Sequence, residues 1–235
     1  MKRIYFILLL SFLGILSCKK ETDDVQININ IENSPDKTTV NRNYTIDETR
    51  FYLSNFQLED ASGNTVLLKD LLLVKSSSNN SFTLKAPAGS FTKFNFSFGL
   101  DKATNNLDPN GFDDNNPLST KQDMYWNMLK YRFIVTEGKL DSSIAKNKIP
   151  SVPFSMHLGS DTLYRVISTD LAGKQITKGS VINISINLNK LFVLDKDTFN
   201  ITNFSNHSDV AQIPKAIAIV DSFVSGFKTD IFSPN

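Results

Sequence analysis

The chain has 235 residues, of which 40% are hydrophobic and 21% charged, and its formal net charge is +1. This composition is typical of a globular protein, and the nearly neutral charge excludes a strongly basic surface for nucleic acid. The single cysteine, Cys18, cannot form an internal disulfide.

Residues 1–17 predict a secretory signal. Lys2 and Arg3 precede an apolar run that is too short to span a bilayer. The run ends in "ILSC", which resembles a bacterial lipobox, so Cys18 is the expected lipidation site; an ordinary signal with an incidental cysteine is the alternative. Residues 18–24 are polar and predict a tether. We therefore expect a lipid-anchored protein of the bacterial outer membrane, on the periplasmic side or at the cell surface.

Residues 25–235 predict one mostly β domain, a β-sandwich or a barrel-like fold. Apolar residues alternate with polar ones along several short segments, and Gly, Asn and Pro separate these segments. The clearest examples are "VQININIE", "FTKFNFSFGLD" and "VINISINLN". Repeated short strands of this kind are typical of sandwiches and barrels.

A C-terminal helix is predicted by "IPKAIAIVDSFVSGF". Pro214 lies near its start, where a missing N–H costs little. The apolar stripe predicted for this helix consists of Ile217, Val220, Val224 and Phe227. A short helical turn is a further expectation for residues 119–129.

The segment "GLDKATNNLDPNGFDDNNPL" is rich in acids and amides. Asp101, Asp108 and Asp113 could supply oxygen ligands to calcium, although their spacing is not that of a helix-loop-helix calcium loop. The alternative is a solvated loop whose Asp and Asn side chains make local turn hydrogen bonds.

The segment "DMYWNMLKYRF" holds the only tryptophan, Trp126, between Met124 and Met128. In an extended segment Trp126 and Met128 share a face, whereas a helix would align the two methionines. Core packing explains each residue singly and is the interpretation that composition favours. A soft-metal site would explain them together.

The only two histidines are His157, which follows Met156, and His207. Neutral imidazoles are the commonest ligands of copper and zinc sites, but a separation of 50 residues does not by itself specify a site. On a strand, Met156 and His157 point to opposite faces, so at most one of them faces a given site.

The sequence predicts no enzyme. It has neither a G-x-S-x-G elbow, nor H-E-x-x-H, nor a glycine-rich phosphate loop, and Cys18 is the only thiol.

Five segments together resemble the MbnP-like family of copper-binding proteins. They are "RFYLSNFQLEDASGN" with "LLKDLLLVK", "FTLKAPAGSFTKFNFSFGLD", "PLSTKQDMYWNMLKYRFIVTEGKL", "FSMHLGSD" and "NHSDVAQIPKAIAIVDSFVSGF". Their order and co-occurrence are specific, whereas each segment alone is weak.

The resemblance implies a β-rich fold and a copper site. His157 and His207 match the family's two histidine motifs, and Trp126 matches the tryptophan that some members convert to kynurenine with the help of a di-haem, peroxidase-like partner. Met128 departs from the family pattern, although a thioether suits Cu(I). The expected function is copper acquisition, storage or handover outside the cytoplasm. The alternative is a metal-free surface module of the same fold that binds a glycan or a protein.

Overall fold

The structure is a computed structural model, and it describes residues 22–32, 43–145, 147–171, 174–192, 207–208 and 211–233. The predicted signal and Cys18 lie outside the described residues. The first strand begins at Thr22, so it includes the last three residues of the predicted tether.

Two open sheets form the body of the protein. The described strands are β1 Thr22–Glu32, β2 Tyr44–Glu59, β3 Thr65–Lys75, β4 Ser81–Pro87, β5 Gly89–Ser90, β6 Lys93–Phe98, β7 Tyr125–Trp126, β8 Lys130–Tyr131, β9 Ile134–Leu140, β10 Val152–Leu158, β11 Arg165–Asp170, β12 Gln175–Ile176, β13 Val181–Asn187 and β14 Phe227–Phe232. One sheet has four strands in the order β14-β13-β1-β4, and the other has six, with the path β10-β9-β2-β6-β11 and β3 paired to β2. The remaining described strands form two pairs, β5 with β12 and β7 with β8. The predicted sandwich is confirmed, and because the described sheets are open, the barrel-like alternative is wrong.

The predicted alternation produces the core face of the four-stranded sheet. β1 and β13 pair in parallel, with Ile27 opposite Ile182 and Ile29 opposite Ile184. All four side chains are buried while the intervening asparagines are more exposed. Burying one such side chain contributes about 1.5–3 kcal/mol, so the pattern selects which face turns inward.

The six-stranded sheet contributes an aromatic core. Phe94, Phe96 and Phe98 on β6 are fully buried, as predicted from their alternation. Phe56 of β2 stacks on Phe96, with ring centroids 5.8 Å apart. β2 is long enough to pair with β9 along its first half and with β6 along its second, so it joins the two halves of this sheet.

The C-terminal helix, α2, runs from Ile213 to Ser225. A shorter helix, α1, spans Lys102–Asn105. The stripe predicted for α2 is right in part: Val220 is buried, and Ile217 and Val224 pack against the core while partly buried. The other buried residues of the helix are Ala216, Ile219 and Phe223. The buried face is set by Phe223, whose ring meets those of Phe51 and Phe98 at 5.6 and 5.5 Å. Phe227, predicted in the helix, instead opens β14.

Candidate metal site

The tryptophan lies in a tight hairpin. Trp126 ends β7 and pairs with Lys130 of β8, and the three residues between them form the turn. A 3-10 segment, Thr120–Gln122, precedes this hairpin, so the helical turn expected over residues 119–129 is limited to its beginning. Lys130, the first residue after this turn, has a positive φ of 59°, which is uncommon for a residue other than glycine.

The two methionines of the hairpin have opposite environments. Met124 is fully buried in the core, whereas Met128 lies in the turn and is 78% exposed. The sequence predicts that Trp126 and Met128 share a face if both lie on one extended strand. This arrangement does not occur, because Met128 lies in the turn. Trp126 is 39% exposed, so the interpretation of Trp126 and Met128 as core residues is wrong.

His157 reaches the site from β10, where its neighbour Met156 is buried on the opposite face. This alternation is the one predicted for a strand. Gly159 then permits a close approach between chain segments, because a Cβ at this position would lie 2.8 Å from the Cα of Arg132. The backbone N–H of Phe133 donates to the carbonyl of Leu158 at 2.6 Å. These contacts hold the end of β10 against the segment that follows the tryptophan hairpin.

His207 is brought to the same place by hydrogen bonds of its own segment. Its backbone N–H donates to Oε1 of Gln212 at 3.2 Å. The next residue, Ser208, accepts a hydrogen bond from the N–H of Gly159 through its hydroxyl, at 3.2 Å. The hydrogen bond from Gly159 to Ser208 therefore joins the two segments that carry His157 and His207, which are 50 residues apart in sequence.

The three rings predicted from the sequence form one cluster. The ring centroids of His157 and His207 are 5.1 Å apart. The indole of Trp126 lies 5.8 Å from the ring of His157 and 5.5 Å from that of His207. Nδ1 of His207 is buried and has no hydrogen-bond partner among the described residues.

Arg132 forms one wall of this cluster and is only 5% exposed. Its guanidinium carbon lies 5.5 Å from the centre of the Trp126 ring, in a cation–π arrangement. Nη1 is 3.5 Å from Nδ1 of His157. Nη2 donates to both the carbonyl and the carboxylate of Asp123, the latter at 3.0 Å.

Glu137 contacts the other ring nitrogen of His157. Its Oε1 is 2.8 Å from Nε2, and since an ionised carboxylate can only accept, Nε2 of the neutral ring carries the proton and Nδ1 the lone pair. Burial lowers the pKa of His157 below the usual imidazole value, and Arg132 and His207 lower it further while Glu137 opposes them. His157 is therefore held as a neutral ring, the form that binds metal.

The site supplies two imidazoles, one of which has an unpaired buried ring nitrogen, and this donor set fits copper. In the parts of the chain that the structure describes, no three His, Cys, Asp or Glu side chains gather as a metal-binding group. Met128 makes no described contact with the rings; it lines a neighbouring cleft of about 310 Å³ that also includes Ser208. A thioether ligand thus remains a prediction.

The acidic loop has a different construction. The carboxylate of Asp101 accepts hydrogen bonds from Ala103 and Thr104 and caps α1. The carboxylate of Asp108 accepts from the N–H of Asn110 and caps a 3-10 segment. The backbone carbonyl of Asp113 accepts from Asn116. These are the local hydrogen bonds of a turn-rich loop, and calcium binding by Asp101, Asp108 and Asp113 rests on the sequence alone.

Sequence reasoning did not identify Arg132, Glu137 or Gly159 as site residues. Glu137 reaches His157 because β9 and β10 pair with Val135 opposite His157, which makes Glu137 its diagonal neighbour. A predicted β9–β10 hairpin with this register would have placed the carboxylate. Nothing local marks Arg132, since its contacts depend on how three segments meet.

The fold and the ring cluster define a β-sandwich protein with a small, partly exposed site made of two imidazoles and an indole. A sequence model of the MbnP family matches residues 16–213, most of the chain. The chain therefore belongs to the MbnP family.

One solved structure, MbnP from Methylosinus trichosporium, is similar over 91% of this chain and 100% of its own, with a TM-score of 0.56 and 14% identity. At that identity the likeness shows a shared fold. A comparison with curated proteins gave no match. Within the described ranges, no helix has the length and apolar character needed to cross a membrane.

Proposed function

We propose that this protein is a lipid-anchored copper-binding protein outside the cytoplasm, which acquires, stores or hands over copper and is not itself an enzyme. The observation that carries the proposal is the ring cluster, in which two histidines distant in sequence lie 5.1 Å apart and Nδ1 of His207 is buried without a described partner. A buried polar atom left unpaired is costly, and a bound metal would relieve that cost.

His157 and His207 would hold the metal through ring nitrogens. Glu137 would act as the carboxylate that orients a ligating imidazole by accepting its other N–H, a common arrangement around metal-bound histidines. Copper would supply a soft Lewis-acid centre there. Met128 remains the candidate for an additional soft ligand.

The family resemblance adds Trp126 as a kynurenine precursor, with a di-haem, peroxidase-like protein as its partner. The 39% exposure of Trp126 supports access to an oxidising partner. Cys18 is the proposed anchor. Because β1 begins at Thr22, four residues later, the extended chain between them would keep the sheet within about 14 Å of the lipidated residue.

Copper titration of the full chain, purified in detergent from its own host, tests the metal site. We expect stoichiometric copper in the wild-type protein and its loss in His157→Ala and His207→Ala. Ser155→Ala is the matched control, since Ser155 lies two residues from His157 on the same strand. Undiminished copper in both histidine variants would contradict the proposal.

Intact mass of the same sample tests the two modifications. Acyl chains on Cys18 would establish the anchor. A net gain of one oxygen and loss of one carbon, localised to Trp126, would establish kynurenine. An unacylated mature chain would remove the lipid anchor from the proposal without affecting the copper site.

A further inference from the structure

The charges nearest the ring cluster are arranged asymmetrically. The Arg132 side chain is almost completely buried and contacts both Trp126 and His157. The negative charge closest to His157 is that of Glu137, whose side chain is 47% exposed. Water therefore screens the carboxylate more than the guanidinium.

Asp123 does not fully neutralise Arg132. Its carboxylate is shared, with one oxygen 3.0 Å from Arg132 and the other 3.3 Å from Arg50. The Asp123 side chain is also 74% exposed, so its own field is strongly screened. Glu48 lies 3.3 Å from Nε of Arg50 rather than beside Arg132. The buried positive charge at the rings is thus only partly offset by Asp123.

A fixed positive charge repels a divalent ion more than a monovalent one. At a separation of about 5 Å and an effective dielectric constant of about 20–80, one additional unit of charge changes an affinity by roughly fourfold to a few hundredfold. A bound ion held by His157 would lie close to Arg132, because Arg132 already contacts the ring nitrogen that carries the lone pair.

We infer that Arg132 is a specificity residue of the metal site, which weakens binding of divalent ions relative to monovalent ions, and that Glu137 acts in the opposite direction. This inference rests on the proposed function, since it concerns the same two imidazoles. The ligand class it specifies is a soft, singly charged cation, Cu(I) or Ag(I), in preference to Cu(II).

Affinities of the full chain for Cu(I), Ag(I) and Cu(II), measured by competition with chromophoric chelators, test the inference. In Arg132→Gln we expect the Cu(II) affinity to rise about tenfold relative to the affinities for Cu(I) and Ag(I). For the one-electron copper couple, tenfold is about 59 mV, so the midpoint potential of the bound copper should fall by about that amount. Ag(I) makes the monovalent measurement independent of copper oxidation.

Glu137→Gln should change the same ratio in the opposite direction by about threefold, because its carboxylate is half-exposed while the amide oxygen still accepts from Nε2. The double variant should lie between the two single variants. These variants keep the inference testable even if Arg132→Gln folds poorly, because Glu137 lies at the surface.

Two controls separate charge from structure. Arg132→Lys keeps the charge and should retain the wild-type ratio. Arg50→Gln removes a guanidinium that binds the same Asp123 but has no described contact with the rings, and it should change the ratio less than twofold.

The possible failures are distinguishable. A wild-type protein that binds none of the three ions overturns the proposed function. A wild-type protein that binds them, with the Cu(II)-to-Cu(I) affinity ratio unchanged in Arg132→Gln and Glu137→Gln, overturns the role of Arg132 and leaves the copper site intact.

Discussion

The acidic loop around α1 and the ring cluster are both rich in polar groups, yet they satisfy them differently. In the loop, Asp101 and Asp108 bond to backbone N–H groups two or three residues ahead. In the cluster, the rings come from three distant segments, and Nδ1 of His207 and Nε of Arg132 have no described hydrogen-bond partner. The carboxylates of the loop thus have a local structural role, whereas Nδ1 of His207 keeps a ring nitrogen that can bind a ligand.

The largest effect that sharpens this comparison concerns the two methionines of the hairpin. Met124→Ala should lower the free energy of unfolding by about 2–5 kcal/mol, because it leaves a cavity in the core beneath the site. Met128→Ala, the matched control, should change it by less than about 0.5 kcal/mol, since Met128 is exposed. Urea unfolding of both variants measures the difference, and equal losses would contradict the placement of the hairpin.

Gly159→Ala should break the site itself. The added Cβ would press on the backbone of Tyr131 and Arg132, and overpacking of this kind costs about 1–3 kcal/mol. We also expect weaker copper binding, because the shift moves β10 away from the hairpin. Gly111→Ala in the acidic loop is the control, as its Cβ meets nothing within 4 Å. A stable Gly159→Ala protein with normal copper affinity would show that the close approach is unimportant.

Asp101→Ala should destabilise the loop and leave the site unchanged. Loss of the cap of α1 should cost about 0.5–2 kcal/mol near neutral pH without altering copper affinity.

Burial raises the pKa of Asp101, but hydrogen bonds from Thr104 and Ala103 outweigh it, so the folded-state pKa lies below its usual value. The stabilisation should therefore be complete above the unfolded pKa of about 3.9 and be lost as pH falls through the folded pKa. The free energy of unfolding of both proteins, measured at several pH values, checks this. A destabilisation by Asp101→Ala at pH 2 as large as that near neutral pH would contradict it.

The smallest effect is electrostatic and concerns the metal-free protein. Arg132→Gln should raise the pKa of His157, and Glu137→Gln should lower it, because each removes one of the contributions described above. The folded pKa of His157 lies below the unfolded value of about 6.5, so its contribution to stability is present above that value and is lost as pH falls towards the folded pKa. Arg132→Gln should reduce that loss.

An NMR titration of the imidazole signals measures these pKa changes, with Arg50→Gln as the control. If the pKa of His157 shifted in the same direction in Arg132→Gln and Glu137→Gln, structural rearrangement rather than charge would determine that pKa.

The sequence was sufficient for the features that depend on neighbouring residues. Period-two alternation predicted β1, β6 and β13 and their buried faces, since strand geometry sends alternate side chains to opposite sides. The same rule separated Met156 from His157. The apolar stripe of α2 was less predictable, because the helix turns towards whichever aromatic residues lie beneath it, here Phe51 and Phe98.

Only the tertiary structure decided how these elements combine. The parallel pairing of β1 with β13, the diagonal position of Glu137 beside His157 and the burial of Arg132 against Trp126 all join residues that no local pattern connects. The sequence, through its resemblance to a family, identified the two histidines and the tryptophan as candidates. Their distances, and the charges around them, follow from strand register and close backbone approach, which are set by the packing of the whole chain.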